Sequence, residues 1–242
     1  MMTKIGIVSA LFLSVLSPVC AESRTHKVNI PLLSKCLVMN STKAKSDMRE
    51  ISQHCAVCDL EDVPYSKMKC VQKNQKRKVY YDKENNVYVK VWKKDYRFKS
   101  YFLMGVKQGF YKDIAPLHCV IFDKEGICRG YITYAVDGYK KQNNLLKDCH
   151  GTIKSLKHQN DAFKRFLDSL QATVARTGLA YYDLVAGNIS YDGNNYFLID
   201  LESVLDKTGC RNNTFNFHTC MSYNPPEYIE FVHTWLRGTS AA

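Results

Sequence analysis

The feature that most restricts this chain is the run YYDLVAGNISYDGNNYFLIDLES, residues 181–203. Two short apolar stretches, 189–191 and 196–199, flank Asp192-Gly193-Asn194-Asn195. Asp-Gly between such stretches is a strong hairpin signal, because the tight turns that join antiparallel strands need positive φ. Pairing the stretches brings Asn188, at the start of the hairpin, beside Asp200, at its end. Asp183 lies one short loop upstream. Three oxygen-bearing side chains then share one rim. Asp, Asn and Gly also make turns with no chemistry attached, so the run needs support from the rest of the chain.

That support comes from the order of elements. Lys78–Asp82 and Val87–Trp92 alternate β-branched and aromatic residues with others around a Lys83-Glu84-Asn85-Asn86 turn, which predicts a hairpin. Residues 115–122 and 126–135 predict a second hairpin, turning at Asp123–Gly126. Residues 95–113 read as a helix. From 140 to 177 the pattern is helical again, with Phe163, Phe166, Leu167, Leu170 and Val174 at spacings of three and four, and Gly178 as its stop. Residues 228–237 suit a short last helix. The expected class is α+β. A small antiparallel-sheet lobe with one helix (about 70–138) precedes a mainly helical lobe (about 139–242). A cleft between two such lobes suits a small ligand.

The N-terminus reads as a cleaved signal peptide over residues 1–21. Lys4 is its basic start, residues 5–16 its short apolar core, and Val19-Cys20-Ala21 its cleavage site. An uncleaved anchor is the alternative, but Pro18 interrupts the core. No later run is apolar and long enough to predict a transmembrane span. Removing the signal leaves 33 basic and 23 acidic residues, a net charge of +10, which favours anionic partners. It also leaves nine cysteines, three of them (36, 55 and 58) in a Cys-rich extension over 22–69 and a fourth, Cys70, at its border. Export favours disulfides there, and zinc on His54, Cys55, Cys58 and Cys70 is the alternative. Cys119 and Cys128 flank the second hairpin turn and suit a cross-strand bridge.

Chemistry follows from the opening rim. Mg²⁺ is a hard cation that takes carboxylate and amide oxygens together with substrate phosphates. Asn188 and Asp200 suit that role, and Asp183 is free to accept a proton. The sequence holds no H-E-x-x-H pair and no G-x-S-x-G elbow, and Gly151-Thr-Ile-Lys-Ser lacks the Walker spacing. His118 and His233 read as core or surface residues. A nucleic-acid partner would rest on charge alone and is not expected. The many tyrosines are spread over strands and helices, as core packing requires.

Asp183-Leu-Val-Ala-Gly-Asn188-Ile resembles the catalytic loop of the protein-kinase-like superfamily, and is closest to its small-molecule (aminoglycoside-type) phosphotransferase branch. Phe197-Leu-Ile-Asp200-Leu-Glu202 resembles the metal-binding segment that follows it, 17 residues on. Glu202 in place of glycine is similar to that branch and to divergent secretory-pathway kinases. Lys90 in Val87-Tyr-Val-Lys90-Val resembles the strand lysine that pairs the nucleotide's phosphates. Residues 130–138 resemble the strand and hinge behind the adenine, and Asn224-Pro-Pro-Glu227 the end of an activation segment.

The resemblance covers about residues 70–235. It implies a two-lobed kinase-like fold, ATP and Mg²⁺ as cofactors, and transfer to a hydroxyl of a protein, sugar or small molecule. Asp183 and Lys90 would be catalytic. Lys90, Asn188 and Asp200 would bind the nucleotide, with Asn188 and Asp200 on the metal. ATP at the site of action points to the secretory lumen of a eukaryotic cell, or to a host compartment that a secreted effector enters.

Four departures stand beside it. No glycine-rich loop precedes Lys90; the basic turn 73–78 stands there, and it reads as an ordinary solvated turn, with a cradle for phosphates built of side-chain charge as the alternative. The helix after Lys90 lacks a glutamate, and Gln108 lies nearest the expected spacing. Tyr181-Tyr182 replace the usual residues before Asp183, and the chain ends early. The alternative is a catalytically inactive pseudokinase that binds a nucleotide or a protein. Sequons at Asn40, Asn188 and Asn212 suit a glycoprotein, though a glycan on Asn188 would block the metal site.

Overall fold

The computed structural model describes residues 42–93, 99–136, 161–212, 221–222 and 224–238. The expected signal peptide, Cys36, the Asn40 sequon, the helical pattern expected over 140–160 and residues 137–138 of the expected hinge lie outside them. The described fold is α+β around a mixed six-stranded sheet, in the order β1-β5-β6-β4-β3-β2. Its strands are β1 (Ala56–Asp59), β2 (Lys69–Lys73), β3 (Arg77–Asp82), β4 (Val87–Trp92), β5 (Leu117–Phe122) and β6 (Cys128–Tyr134). Only β1 runs parallel to its neighbour, pairing Ala56 with Cys119 and Asp59 with Phe122. Both predicted hairpins form, and their turns are built by side chains as well as by φ. Asp82 accepts the amides of Glu84 and Asn85, and Asp123 accepts that of Ile127.

Alternation along β4 decides what each face of the sheet carries. Val87 and Val89 join Cys119, Ile121 and Ile132 in a small outer core. The segment before β2 covers that core, with Tyr65 packed on Tyr80 at 5.0 Å between ring centroids. Lys90 and Trp92, two residues apart, share the inner face. There Trp92 and Tyr131 pack on Phe102 of α2 (Lys99–Lys107).

The region read as a Cys-rich extension contributes α1 (Thr42–Ser52) and β1 to this body. Ile51 is fully buried, and Lys107 of α2 reaches Asp47 of α1 at 2.6 Å. The predicted Cys119–Cys128 bridge does not form. Cys119 lies in the outer core and Cys128 in the inner one, on opposite faces of the sheet. Cys119 instead bonds Cys58, across a separation of 61 residues. Closing a loop of that length in the unfolded chain stabilises the fold by about 4 kcal/mol in the chain-entropy model. It also removes Cys58 from the zinc alternative. Cys55 and Cys128 remain thiols, and burial pushes each up to about 12.

A second set of elements carries the remaining chain. The predicted long helix appears as α3 (Asp161–Thr177), with Phe163, Phe166, Leu170 and Val174 buried. Gly178 ends it at φ 69°. Then follow β7 (Leu179–Tyr181), a 3₁₀ turn (Ala186–Asn188), β8 (Ile189–Tyr191), β9 (Tyr196–Leu198) and β10 (Val204–Asp206). Two short helices close the fold, α4 (Lys207–Asn212) and α5 (Pro226–Arg237). The Asp192-Gly193 hairpin is present: β8 pairs antiparallel with β9, and Gly193 takes φ 106°. Among the described residues no helix is long and apolar enough to cross a membrane.

Candidate functional site

The β8–β9 hairpin does bring Asn188 and Asp200 to one end. The Ile199 amide donates to the Asn188 carbonyl at 2.9 Å, which closes the ladder one residue short of Asp200. Asn188 Nδ2 donates to the Asp183 carbonyl at 2.8 Å and to its carboxylate Oδ2 at 2.9 Å. Nδ2 is thereby committed to Asp183, which leaves the amide oxygen for a cation. Asn188, Asp200 and Lys90 line a cleft of about 630 Å³, with Val79 and Tyr134 among its other walls.

Lys90 reaches this rim from the sheet. Its ammonium lies 2.9 Å from Asp200 Oδ1 and 2.8 Å from Glu202 Oε1, though 110 residues separate Lys90 from Asp200. Its side chain is 9% exposed and that of Glu202 6%, so water contributes little to solvating either charge. A buried charge needs partners and further hydrogen bonds to persist. Trp92 Nε1 donates to Glu202 Oε1 at 2.9 Å, and Lys90 donates to the Tyr131 oxygen at 3.0 Å. Arg77, the first residue of β3, closes the group. Its NH1 lies 3.3 Å from Asp200 Oδ2 and 3.5 Å from Glu202 Oε2. Two carboxylates thus face two cations.

The electrostatics follow from this quartet. Burial alone would pull Lys90 down, but the Tyr131 oxygen, Asp200 and Glu202 outweigh it, and the ammonium is held well above its ordinary range. Burial would push Asp200 up, but Lys90 and Arg77 hold it below the usual carboxylate range. Asp183 goes the other way. Its burial raises it, the Asn188 hydrogen bond counters only in part, and the nearby Asp200 charge adds to the rise.

Three tyrosines fix the backbone at Asp200 and Leu201. Tyr181 donates to the Asp200 carbonyl at 2.6 Å, Tyr111 donates to the Leu201 carbonyl, and the Leu201 amide donates to Tyr131 at 3.2 Å. Burial holds all three phenols above their ordinary range, so they remain neutral. Tyr181, one of the two tyrosines that precede Asp183, is therefore occupied with Asp200. The core-packing expectation for the tyrosines is accordingly incomplete: these three pack and also hold the backbone at Asp200 and Leu201.

Asp183 is placed by its neighbours' backbone. Asn224, 1% exposed, accepts the Leu184 amide at 2.7 Å and donates to the Tyr182 carbonyl at 3.3 Å. Its amide therefore brackets Asp183 on both sides, and Pro225 and Pro226 lead from it into α5.

Two sequence expectations change. Gln108 is exposed beyond the end of α2 and does not serve Lys90. The inner face of α2 carries Phe102 and Gly105 instead. A Cβ on Gly105 would meet the Tyr111 hydroxyl at 2.6 Å, so the helix leaves room for a ring there and not for a carboxylate. Glu202 supplies the charge that the helix lacks. The basic turn also has a structured part. Asn74 accepts the amides of Lys76 and Arg77, which sends Arg77 into the cleft as β3 begins.

Sequence reasoning missed the roles of Glu202, Arg77, Tyr131 and Asn224. A signal for Glu202 was present, because a lone glutamate in an apolar run (Ile199-Asp-Leu-Glu-Ser-Val-Leu205) must find a buried cation. No family model matches the chain, and no curated protein matches it.

Proposed function

We propose that the protein is a kinase-like phosphotransferase of a secretory lumen or the cell exterior, moving the ATP γ-phosphate to a hydroxyl of a protein, sugar or small molecule. In this reading the six-stranded sheet with α2 is the small lobe, and α3, α5 and the β8–β9 hairpin belong to the second lobe. The observation that carries it is the 2.9 Å contact between Lys90 and Asp200, made across a cleft that Asn188 also lines.

The donor set suits Mg²⁺. Among the described residues no three His, Cys, Asp or Glu side chains group as a closed metal cage. Mg²⁺ at nucleotide sites commonly takes one or two carboxylates and completes its shell with phosphates and water. Asp200 and the Asn188 oxygen are donors of that kind, and the bound ion would neutralise phosphate charge. Lys90, held charged, positions the α- and β-phosphates. Asp183 accepts the acceptor hydroxyl's proton, and its raised value brings it nearer to working pH. Positioning and charge neutralisation supply most of the catalysis in such a site.

The second reading, a pseudokinase, is favoured by one observation: Asp200 already holds two cations, so the quartet is complete without metal. Thermal stabilisation by ATP with and without Mg²⁺, combined with ATP turnover over a broad acceptor panel, separates the two. Mg²⁺-dependent stabilisation with turnover supports the transferase. Stabilisation with no turnover supports a nucleotide-binding pseudokinase, and no stabilisation at all removes the transferase and leaves only a pseudokinase that binds a protein.

A further inference from the structure

Arg77 and Lys90 hold the same two carboxylates but on different terms. Lys90 makes contacts of 2.9 and 2.8 Å from a side chain 9% exposed. Arg77 makes contacts of 3.3 and 3.5 Å, both from NH1, from a side chain 24% exposed. Arg77 also starts a strand whose outer neighbour, β2, is exposed along its whole length at the sheet edge. Lys90 sits in the middle of β4, between β3 and β6. Of the two cations, Arg77 makes the longer contacts to this carboxylate pair and has the more exposed side chain.

Its target matters as much. Asp200 Oδ1 is taken by Lys90, and Oδ2 is the oxygen that faces Arg77. A divalent ion on Asp200 would share that oxygen with a guanidinium of like charge. Without a polyanion the quartet is neutral, so a further double positive charge beside Lys90 and Arg77 would have only the Asp183 carboxylate near it to balance it. Phosphates reverse the balance, since they offer Arg77 a multiply charged partner in a geometry that guanidinium matches, where now it has two long contacts to carboxylates that Lys90 also holds.

We propose that Arg77 and the divalent cation are alternative partners of Asp200: Arg77 holds the carboxylate in the nucleotide-free protein, and polyphosphate draws it away, so metal binds with nucleotide and weakly before it. The inference rests on the transferase or nucleotide-binding reading above, and it assigns Arg77 as a positioning residue that enforces joint binding. Metal and nucleotide then raise each other's affinity by the same factor, as linkage requires.

The test uses Mn²⁺ as the metal probe, followed by electron paramagnetic resonance, and a non-hydrolysable ATP analogue. In the wild-type chain, Mn²⁺ should bind at least about tenfold tighter with the analogue than without it, within the usual span of such couplings. In Arg77→Gln, Mn²⁺ alone should bind about tenfold tighter than in wild type, and the analogue without metal should bind several-fold weaker. Arg77→Lys keeps the charge and should retain part of the coupling. The side-chain Nε–H NMR signal of Arg77 in the wild-type protein gives a readout that needs no variant, and it should shift when the analogue is added without metal. Unchanged Mn²⁺ affinity in Arg77→Gln, or an unmoved Arg77 signal at saturating analogue, overturns the proposal while nucleotide binding stands. If the wild-type chain binds neither analogue nor Mn²⁺, the functional reading itself fails and this inference falls with it.

Discussion

Asp200 and Asp183 stand on one rim and are held by opposite means. Asp200 is fixed by side chains from far away in sequence, two cations on its oxygens and three tyrosines on the adjoining backbone. Asp183 is fixed without charge, by the nearby Asn188 amide on its carboxylate and by the more distant Asn224 on the flanking peptides. One arrangement keeps a carboxylate ionised and still. The other keeps a carboxylate in place but easy to protonate. A site that must hold cations with one aspartate and accept a proton with its neighbour needs both.

Replacing each aspartate should separate the two jobs most sharply. Asp183→Asn is expected to cut turnover about 10³-fold and leave Mg²⁺-dependent ATP stabilisation intact. Asp200→Asn should abolish both, and melting curves with and without Mg²⁺-ATP make the distinction. Equal loss of ATP stabilisation in the two variants would count against the division of labour.

Glu202→Gln attacks the charged side alone. It leaves Lys90 buried with one carboxylate in place of two, and should cost about 3 kcal/mol, measurable by denaturant titration. Asn224→Ala attacks the neutral side alone. It strands the Leu184 amide and the Tyr182 carbonyl, at a cost of about 2 kcal/mol. There the expected signature is a lower kcat with unchanged nucleotide affinity, because Asp183 shifts and the quartet does not.

Acid should distinguish the pair without mutation. The depressed Asp200 contributes stability that is complete above the ordinary carboxylate value of about 3.9 and is lost as pH falls through its lower folded value. Asp183 is raised, so its basic form is lost first, already above that ordinary value. On lowering pH, activity should therefore disappear while the protein remains folded. Parallel kcat/KM and circular dichroism profiles check the order, and coincident loss of both would contradict it.

The two sides were not equally legible in sequence. The local one was, because Asp183, Asn188 and the Asp-Gly turn lie within one run whose hairpin geometry follows from turn chemistry and alternation. Lys90 could be placed on a strand for the same reason. The charged side was legible only in its endpoints. That Lys90 would meet Glu202 depends on which face of β4 turns inward, and on α2 presenting Phe102 and Gly105 there. Both are outcomes of packing between distant segments. The Cys58–Cys119 bond was hidden likewise, since it depends on β1 joining the sheet in parallel beside β5, a pairing with no local turn to announce it.

Gly130 bears on the same geometry from below. A Cβ there would fall 1.9 Å from the Lys90 carbonyl, so the β4–β6 approach that sets Lys90 admits only glycine.

During synthesis the sheet strands leave the ribosome long before Asp200 and Glu202 do. Until those residues arrive, the inner face carries an ammonium among Trp92, Tyr131 and Phe102 with no anion to meet it. The first half of the chain therefore has a reason to stay unfinished while the second is made. Completion of the cleft and completion of the fold become one event, and a chain truncated before Asp200 would leave Lys90 without either carboxylate that holds it in the finished protein.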